Sequence, residues 1–198
     1  MTMTTYQACA VIHDLRGDAI LVSTMSAMMA ISAVSPSPLN ISSVPLMGGA
    51  SGLGLGLAIT QPDRPVMVLD GDASLLMELG TLAQIADAAP KNFIHIVFNN
   101  SAQFAGIGNL DRPGGKLDFT QMALATGYVS AQSIGAADDL KAALTHALDK
   151  NGPHLLELAI SSPHRFTVEG PQPELPDLQF NRMGREARAM MAELGTAR

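Results

Sequence analysis

Two short stretches concentrate the oxygen donors and small residues from which a site for phosphate and a cation can be built: Leu69-Asp-Gly-Asp-Ala-Ser74 and Asn99-Asn-Ser-Ala102. Each follows an apolar run of strand length, Val66 to Leu69 and Phe93 to Phe98. If both runs belong to one parallel sheet and are joined by a helix over Leu75 to Ala88, both loops emerge at its carboxyl edge, where open α/β sheets bind ligands. Asp72 and the side-chain amide of Asn100 then converge on one cation. A carboxylate, an amide oxygen and a backbone carbonyl are hard donors, suited to Mg2+ when phosphate oxygens complete its octahedron. Gly71, Ala73 and Ser74 are small enough for backbone N–H groups to approach a diphosphate, helped by the start of the following helix. Taken alone, either fragment is an ordinary turn. The chemical reading rests on the pair.

The elements that must position these loops alternate along the chain. Tyr6 to Leu15 reads as a short helix stopped by Gly17, Ala19 to Val22 as a strand and Ser51 to Thr60 as a small-residue helix. Pro62-Asp-Arg-Pro65 then turns the chain into the strand at Val66. Beyond Phe98 come a Gly-rich irregular loop over Asn99 to Lys116, a helix over Phe119 to Thr126, an extended Tyr128 to Ala131, a helix over Ala136 to Asp149 and a strand over His154 to Ile160. Continuous apolar strands alternating with helices predict an α/β fold: three αβα layers with a central, mostly parallel sheet. Pro163 to Pro176 is proline-rich and is expected to run over the surface, with a terminal helix over Arg182 to Leu194.

Composition removes several functional classes. The formal net charge is −6, which offers no global attraction to nucleic acid or an anionic membrane. Cys9 is the only cysteine, so an intrachain disulfide and a cysteine-rich metal site are both excluded; a reducing, cytoplasmic setting fits, and the amino terminus has no signal-peptide pattern. From Ala19 to Pro62 there is neither a charge nor a histidine, but Pro36, Pro38 and Pro45 interrupt any membrane span. That stretch is expected to lie between packed surfaces, partly those of another chain. Gly48, Gly52 and Gly56, with Gly54, invite a dinucleotide-loop reading, but Gly52-Leu-Gly-Leu-Gly56 lacks that spacing, and these glycines read instead as a small-residue helix face made for close packing. His95 reads as a core histidine, Cys9 as a buried helix residue and His164 as exposed.

Gly71-Asp-Ala73 followed by Asn99-Asn100, together with Met47-Gly-Gly-Ala-Ser51, resembles the Gly-Asp-Gly…Asn-Asn signature of thiamine-diphosphate enzymes. The likeness covers about residues 1–165, which look like the beta subunits of sulfopyruvate decarboxylase and the carboxyl-terminal half of phosphonopyruvate decarboxylase. It implies a diphosphate-binding (PP-type) domain over 1–165, with 166–198 a proline-rich extension ending in a helix. It also implies Asp72, Asn100 and the carbonyl of Ala102 as Mg2+ ligands, and Ala73 and Ser74, after Gly71, against the diphosphate. Met47 would support the bent cofactor, the Pro45 carbonyl would accept from its aminopyrimidine, and Gln103 would face the substrate. Ala73 departs from the family's glycine.

The implied reaction is decarboxylation of a 2-oxo acid to an aldehyde, with the cofactor ring as electron sink. A carboligase, or a non-catalytic partner that keeps the fold, is the alternative. No catalytic residue is expected in this chain: the glutamate that activates the cofactor belongs, in the family, to a pyrimidine-binding domain, here an alpha-type partner subunit in an α2β2-type assembly. Met25, Met28 and Met29 stand where anionic-substrate relatives carry basic residues. Sulfopyruvate and phosphonopyruvate are therefore not expected to be the best substrates, unless the partner supplies the cation.

Overall fold

A computed structural model of the 198-residue chain describes residues 2–43, 47–103, 110–161 and 179–196. In chain order the elements are α1 (Thr5–Leu15), β1 (Ile20–Ser23), α2 (Met25–Val34), β2 (Asn40–Ser42), α3 (Gly49–Thr60), β3 (Val66–Gly71), α4 (Asp72–Met77) and α5 (Thr81–Ala88). They continue with β4 (Phe93–Asn99), β5 (Ala102–Gln103), β6 (Leu110–Asp111), α6 (Phe119–Thr126), β7 (Ser130–Ile134), α7 (Ala137–Asp149), β8 (His154–Ala159) and α8 (Gln179–Glu193). Six strands form one sheet in the order β2-β1-β3-β4-β8-β7, and every pairing in it is parallel.

Alternation along the strands builds two cores. Leu21, Met67, Leu69, Ile94, Ile96 and Leu156 face α1, α2 and α7. Their neighbours Ile20, Val22, Val66, Val68 and Leu155 face α3, α5 and α6. Successive side chains of a strand point to opposite faces, so strands apolar throughout are those covered on both sides. Among the small-residue positions of α3 the close approach is made by Gly54: a Cβ there would stand 2.2 Å from Val68 Cγ2. Gly52 and Gly56 face open space, so the expected close-packing face narrows to one glycine of this helix.

The two outer strands are finished differently. At β2, the Ser42 N–H donates to Glu186 Oε2 of α8 at 2.7 Å, and Arg182 of the same helix reaches both Glu186 and the Ser32 hydroxyl. The terminal helix thus covers an edge that would otherwise expose ladder donors. At β7 the strand is polar and half exposed, which blunts that edge by composition. The strand begins at Ser130 because Tyr128 is drawn inward, its hydroxyl 3.3 Å from His95 Nδ1.

Three further elements differ from expectation. The helix over Leu75 to Ala88 is two helices, because Glu78 leaves helical geometry (φ −132°, ψ 43°) and the chain resumes at Thr81 after Gly80. A helix, α2, forms in the uncharged stretch after β1; Ala27, Ala30 and Ile31 bury one face while Met29 stays exposed. The Gly-rich loop contains a short antiparallel pair, β5 with β6. The proline-rich segment, including His164, lies outside the described residues.

Candidate functional site

Strand β3 ends in two carboxylates that point to different surroundings. Asp70 turns inward, accepting from the Gly71 N–H at 2.8 Å and facing His95 Nε2 at 3.3 Å. His95 and Asp70 are fully buried, and the Tyr128 hydroxyl closes the network, its acidity suppressed by burial and by the charge of Asp70. This is the satisfied core histidine that the sequence implies. Asp72, two residues on, opens α4 after the extended Gly71 and belongs to the carboxyl edge of the sheet.

The loop after β4 folds back onto Asp72. The Ser101 N–H donates to Asp72 Oδ2 at 3.0 Å and to Asn99 Oδ1 at 3.1 Å, in the left-handed conformation (φ 57°) that aims it there. A non-glycine residue so placed costs about 1–3 kcal/mol, which the surrounding contacts must offset. Asn99 is held from behind, its amide donating to Glu157 Oε1 of β8 at 2.6 Å. Asn100 Oδ1 accepts from the Ala102 N–H at 3.0 Å, a tight turn that leads into β5 with Ala102 and Gln103 half-buried. Adjacent parallel pairing of β3 and β4 is what brings the two loops together.

The third wall is the turn before α3. Gly48, at φ 89°, donates its N–H to Ser74 Oγ at 2.8 Å, and a Cβ on it would fall 2.4 Å from Glu78 Cγ. The break between α4 and α5 lays Glu78 over Gly48 and brings Thr81 within 2.9 Å of Ser51, hydroxyl to hydroxyl. Met47, partly exposed, precedes the Gly48 that Ser74 holds, and Ala73 and Ser74 are both buried in the first turn of α4. Pro45 lies outside the described residues. Gly71 has room around it, with only Ser74 Cβ at 3.7 Å from where a Cβ would stand.

Sequence reasoning missed Arg112. Its N–H donates to the Ser101 carbonyl at 3.0 Å, which docks the far arm of the loop onto the near one. The guanidinium is then buried with Nε 2.6 Å from Asp72 Oδ2. It stacks 5.1 Å over the Phe119 ring and donates through Nη1 to the carbonyls of Pro113 and Gly114. Nε–H has no other acceptor, so its partner is the Asp72 carboxylate. Burial raises the pKa of Asp72, and the Arg112 charge and the N–H groups of Ala73 and Ser101 offset only part of that rise. A lone arginine in a Gly-rich loop gave no spacing signal.

A buried carboxylate that burial makes costly to charge is a site built around a positive partner. Among the described residues no three His, Cys, Asp or Glu side chains cluster, and the donors at this edge are the Asp72 carboxylate with amide and carbonyl oxygens of the β4 loop. That donor set fits Mg2+ and phosphate, and the guanidinium marks where the positive charge belongs. The described grooves lie elsewhere: one is lined by Asp63, Arg64, Lys91 and Asn92, which precede β3 and β4 at the opposite edge of the sheet.

The fold and this edge site define a class of proteins, and comparison with known proteins gives the family. Residues 22–158 match the thiamine pyrophosphate enzyme C-terminal TPP binding domain, and the chain belongs to that family. It is 41% identical over 120 residues to phosphonopyruvate decarboxylase of Streptomyces hygroscopicus, covering 58% of this chain and 28% of that protein. It is 33% identical over 124 residues to the sulfopyruvate decarboxylase beta subunit of Methanococcus maripaludis, covering 62% and 64% of the two chains. The Rhodococcus jostii RHA1 thiamine diphosphate-dependent 4-hydroxybenzoylformate decarboxylase shares the fold, with a TM-score of 0.68 at 24% identity over 82% of this chain and 33% of that one. The chain thus spans under a third of phosphonopyruvate decarboxylase and about two thirds of the beta subunit.

Proposed function

We propose that this chain is the diphosphate- and magnesium-binding subunit of a heteromeric thiamine-diphosphate-dependent 2-oxo acid decarboxylase. The observation that carries the reading is the buried Asp72 carboxylate, tied by the Ser101 N–H to the β4 loop and already facing a cation. Asp72, the Asn100 side-chain oxygen and the Ala102 carbonyl would hold Mg2+, while Gly71, Ala73 and Ser74 would lie against the diphosphate. Met47 and Pro45 would support the rest of the cofactor, and Gln103 would face the substrate. When bound, the cofactor supplies an electron sink for loss of CO2. The chain's own residues bind and orient: Asn99 braces the loop against Glu157, and Ser74 pins the Gly48 turn.

The need for a partner is supported by likeness to proteins that are themselves beta subunits, the M. maripaludis chain and that of Methanothermobacter thermautotrophicus, 39% identical over 107 residues. An alpha-type, pyrimidine-binding subunit in an α2β2-type assembly would supply the activating glutamate. Two uncharged surfaces on opposite sides of the sheet suit burial against it: α2, with exposed Met29, and α3, with exposed Ile59 and the open Gly52 and Gly56. We assign 1–165 to the cofactor-binding domain and 166–198 to the extension, whose helix α8 packs on β2. Among the described residues no helix is long and apolar enough to cross a membrane, and a cytoplasmic site of action is part of the same proposal.

Purification with its partner, then CO2 release from a panel of 2-oxo acids, tests this. Turnover is expected in the assembled complex and not in the chain alone, with substrates less anionic than sulfopyruvate or phosphonopyruvate preferred, since α2 begins at the carboxyl edge without a cation. A second reading, a non-catalytic partner, is favoured by the Ala73 methyl and by Arg112 on Asp72. Turnover by the complex with Asp72 intact and none with Asp72→Asn separates the two.

A further inference from the structure

Arg112 stands where a metal ion would. It is nearly inaccessible to solvent, and so is the Asp72 side chain it faces. A guanidinium and a divalent cation cannot share one carboxylate oxygen in so small a volume, because their repulsion is not screened by water there. Apart from the ion pair, the guanidinium donates through Nη1 to the carbonyls of Pro113 and Gly114 in its own loop. Those bonds and the stacking on Phe119 do not depend on Asp72. The loop's own closure, the Arg112 N–H on the Ser101 carbonyl, is made by backbone and survives a swing of the side chain away from the carboxylate.

We propose that Arg112 is a resident cation of the metal site: it holds the Asp72 carboxylate in the metal-free chain and gives way when a divalent ion binds, and so sets the affinity for that ion. This rests on the reading of Asp72 as a metal ligand. The metal-free site is then held together by the ion pair rather than left as a buried bare charge, which would be costly. Metal binding is an exchange of cations, and the apparent affinity is reduced by the fraction of molecules in which Arg112 occupies Asp72.

The test measures Mn2+ binding by electron paramagnetic resonance, with saturating thiamine diphosphate, in the full chain together with whatever subunit co-purifies. Wild type, Arg112→Gln, Arg112→Lys and Asp72→Asn are compared, and thermal melting establishes that each is folded. Arg112→Gln is expected to bind Mn2+ about tenfold more tightly than wild type, as removal of an internal competitor requires. Arg112→Lys, with a more strongly hydrated and shorter-reaching cation, is expected between the two and serves if the glutamine variant does not fold. Equal or weaker Mn2+ binding in a folded Arg112 variant, with wild-type binding still lost in Asp72→Asn, overturns the role of Arg112 and leaves the metal site standing. Binding unaffected by Asp72→Asn, or absent from every variant, overturns both.

Discussion

Two arginines are buried among the described residues, and they are held in opposite ways. Arg16, at the end of α1, faces no carboxylate: it donates to the Ser35 hydroxyl, the Asn40 side-chain oxygen and the Ala19 carbonyl. Burial lowers its pKa to about 10, but its acceptors are neutral and fixed in the turns around β1 and β2. Arg112 faces a carboxylate, its Nε 2.6 Å from Asp72 Oδ2. The first is a clamp whose partners have nothing else to do. The second sits on a group that has a use for a different cation. A buried cation held by neutral oxygens reads as structure, and one paired with an acid at a sheet's carboxyl edge reads as function.

That contrast can be broken most forcefully through stability. Asp72→Ala strands a buried guanidinium and is expected to cost about 3–5 kcal/mol in metal-free protein, whereas the double variant Asp72→Ala with Arg112→Met should recover most of the loss. Denaturant titration of the single and double variants checks this; a double variant no better than the single would mean the pair is not coupled. Arg16→Met strands Asn40 and Ser35 instead and is expected to cost about 2–4 kcal/mol while leaving Mn2+ affinity unchanged.

Smaller effects sharpen the comparison. Gly54→Ala drives a methyl into Val68 and Phe93 and is expected to cost about 1–3 kcal/mol. Gly52→Ala and Gly56→Ala meet open space in the same helix and should each stabilise the chain by about 0.5–1 kcal/mol. Thermal melting of the purified protein compares the three. Asn100→Ala is expected to weaken cofactor binding severely and Asn99→Ala less so, since Asn99 braces the loop from behind.

The least effect is a pH dependence. His154 is buried, with Nδ1 accepting from the Ser130 hydroxyl and Nε2 donating to the Lys150 carbonyl, and burial holds its pKa below the usual 6.5. The unfolded chain therefore takes up this proton first. The contribution is fully present above about pH 6.5 and is lost as pH falls from there toward the depressed folded value. Replacing His154 by Gln should flatten that part of the melting-temperature profile, and an unchanged slope would count against the assignment.

The sheet was legible because its strands are apolar on both faces and separated by helix-period segments; Val66 to Leu69 and Phe93 to Phe98 are strands where the runs predicted them. Asp72 and the Asn99-Asn100 turn were legible because parallel neighbours put their loops at one edge. The break at Glu78 was not, since Met77-Glu-Leu-Gly80 suits a helix until Glu78 must cover Gly48. Arg112 was not legible either: it reaches Asp72 only because its N–H pairs with the Ser101 carbonyl, a contact with no signature in spacing. Local pattern gave the elements and one wall of the site, and tertiary closure of a Gly-rich loop supplied the other.

The most direct test of the central claim is a calorimetric titration of thiamine diphosphate into the assembled complex, with and without Mg2+, for wild type and Asp72→Asn. Asp72 is expected to make binding magnesium-dependent, so that wild type gains affinity on adding Mg2+ and Asp72→Asn loses about 100-fold or more in its presence. Equal affinity of the two proteins in Mg2+ would contradict the assignment of Asp72, and with it the account of this edge of the sheet as a cofactor site.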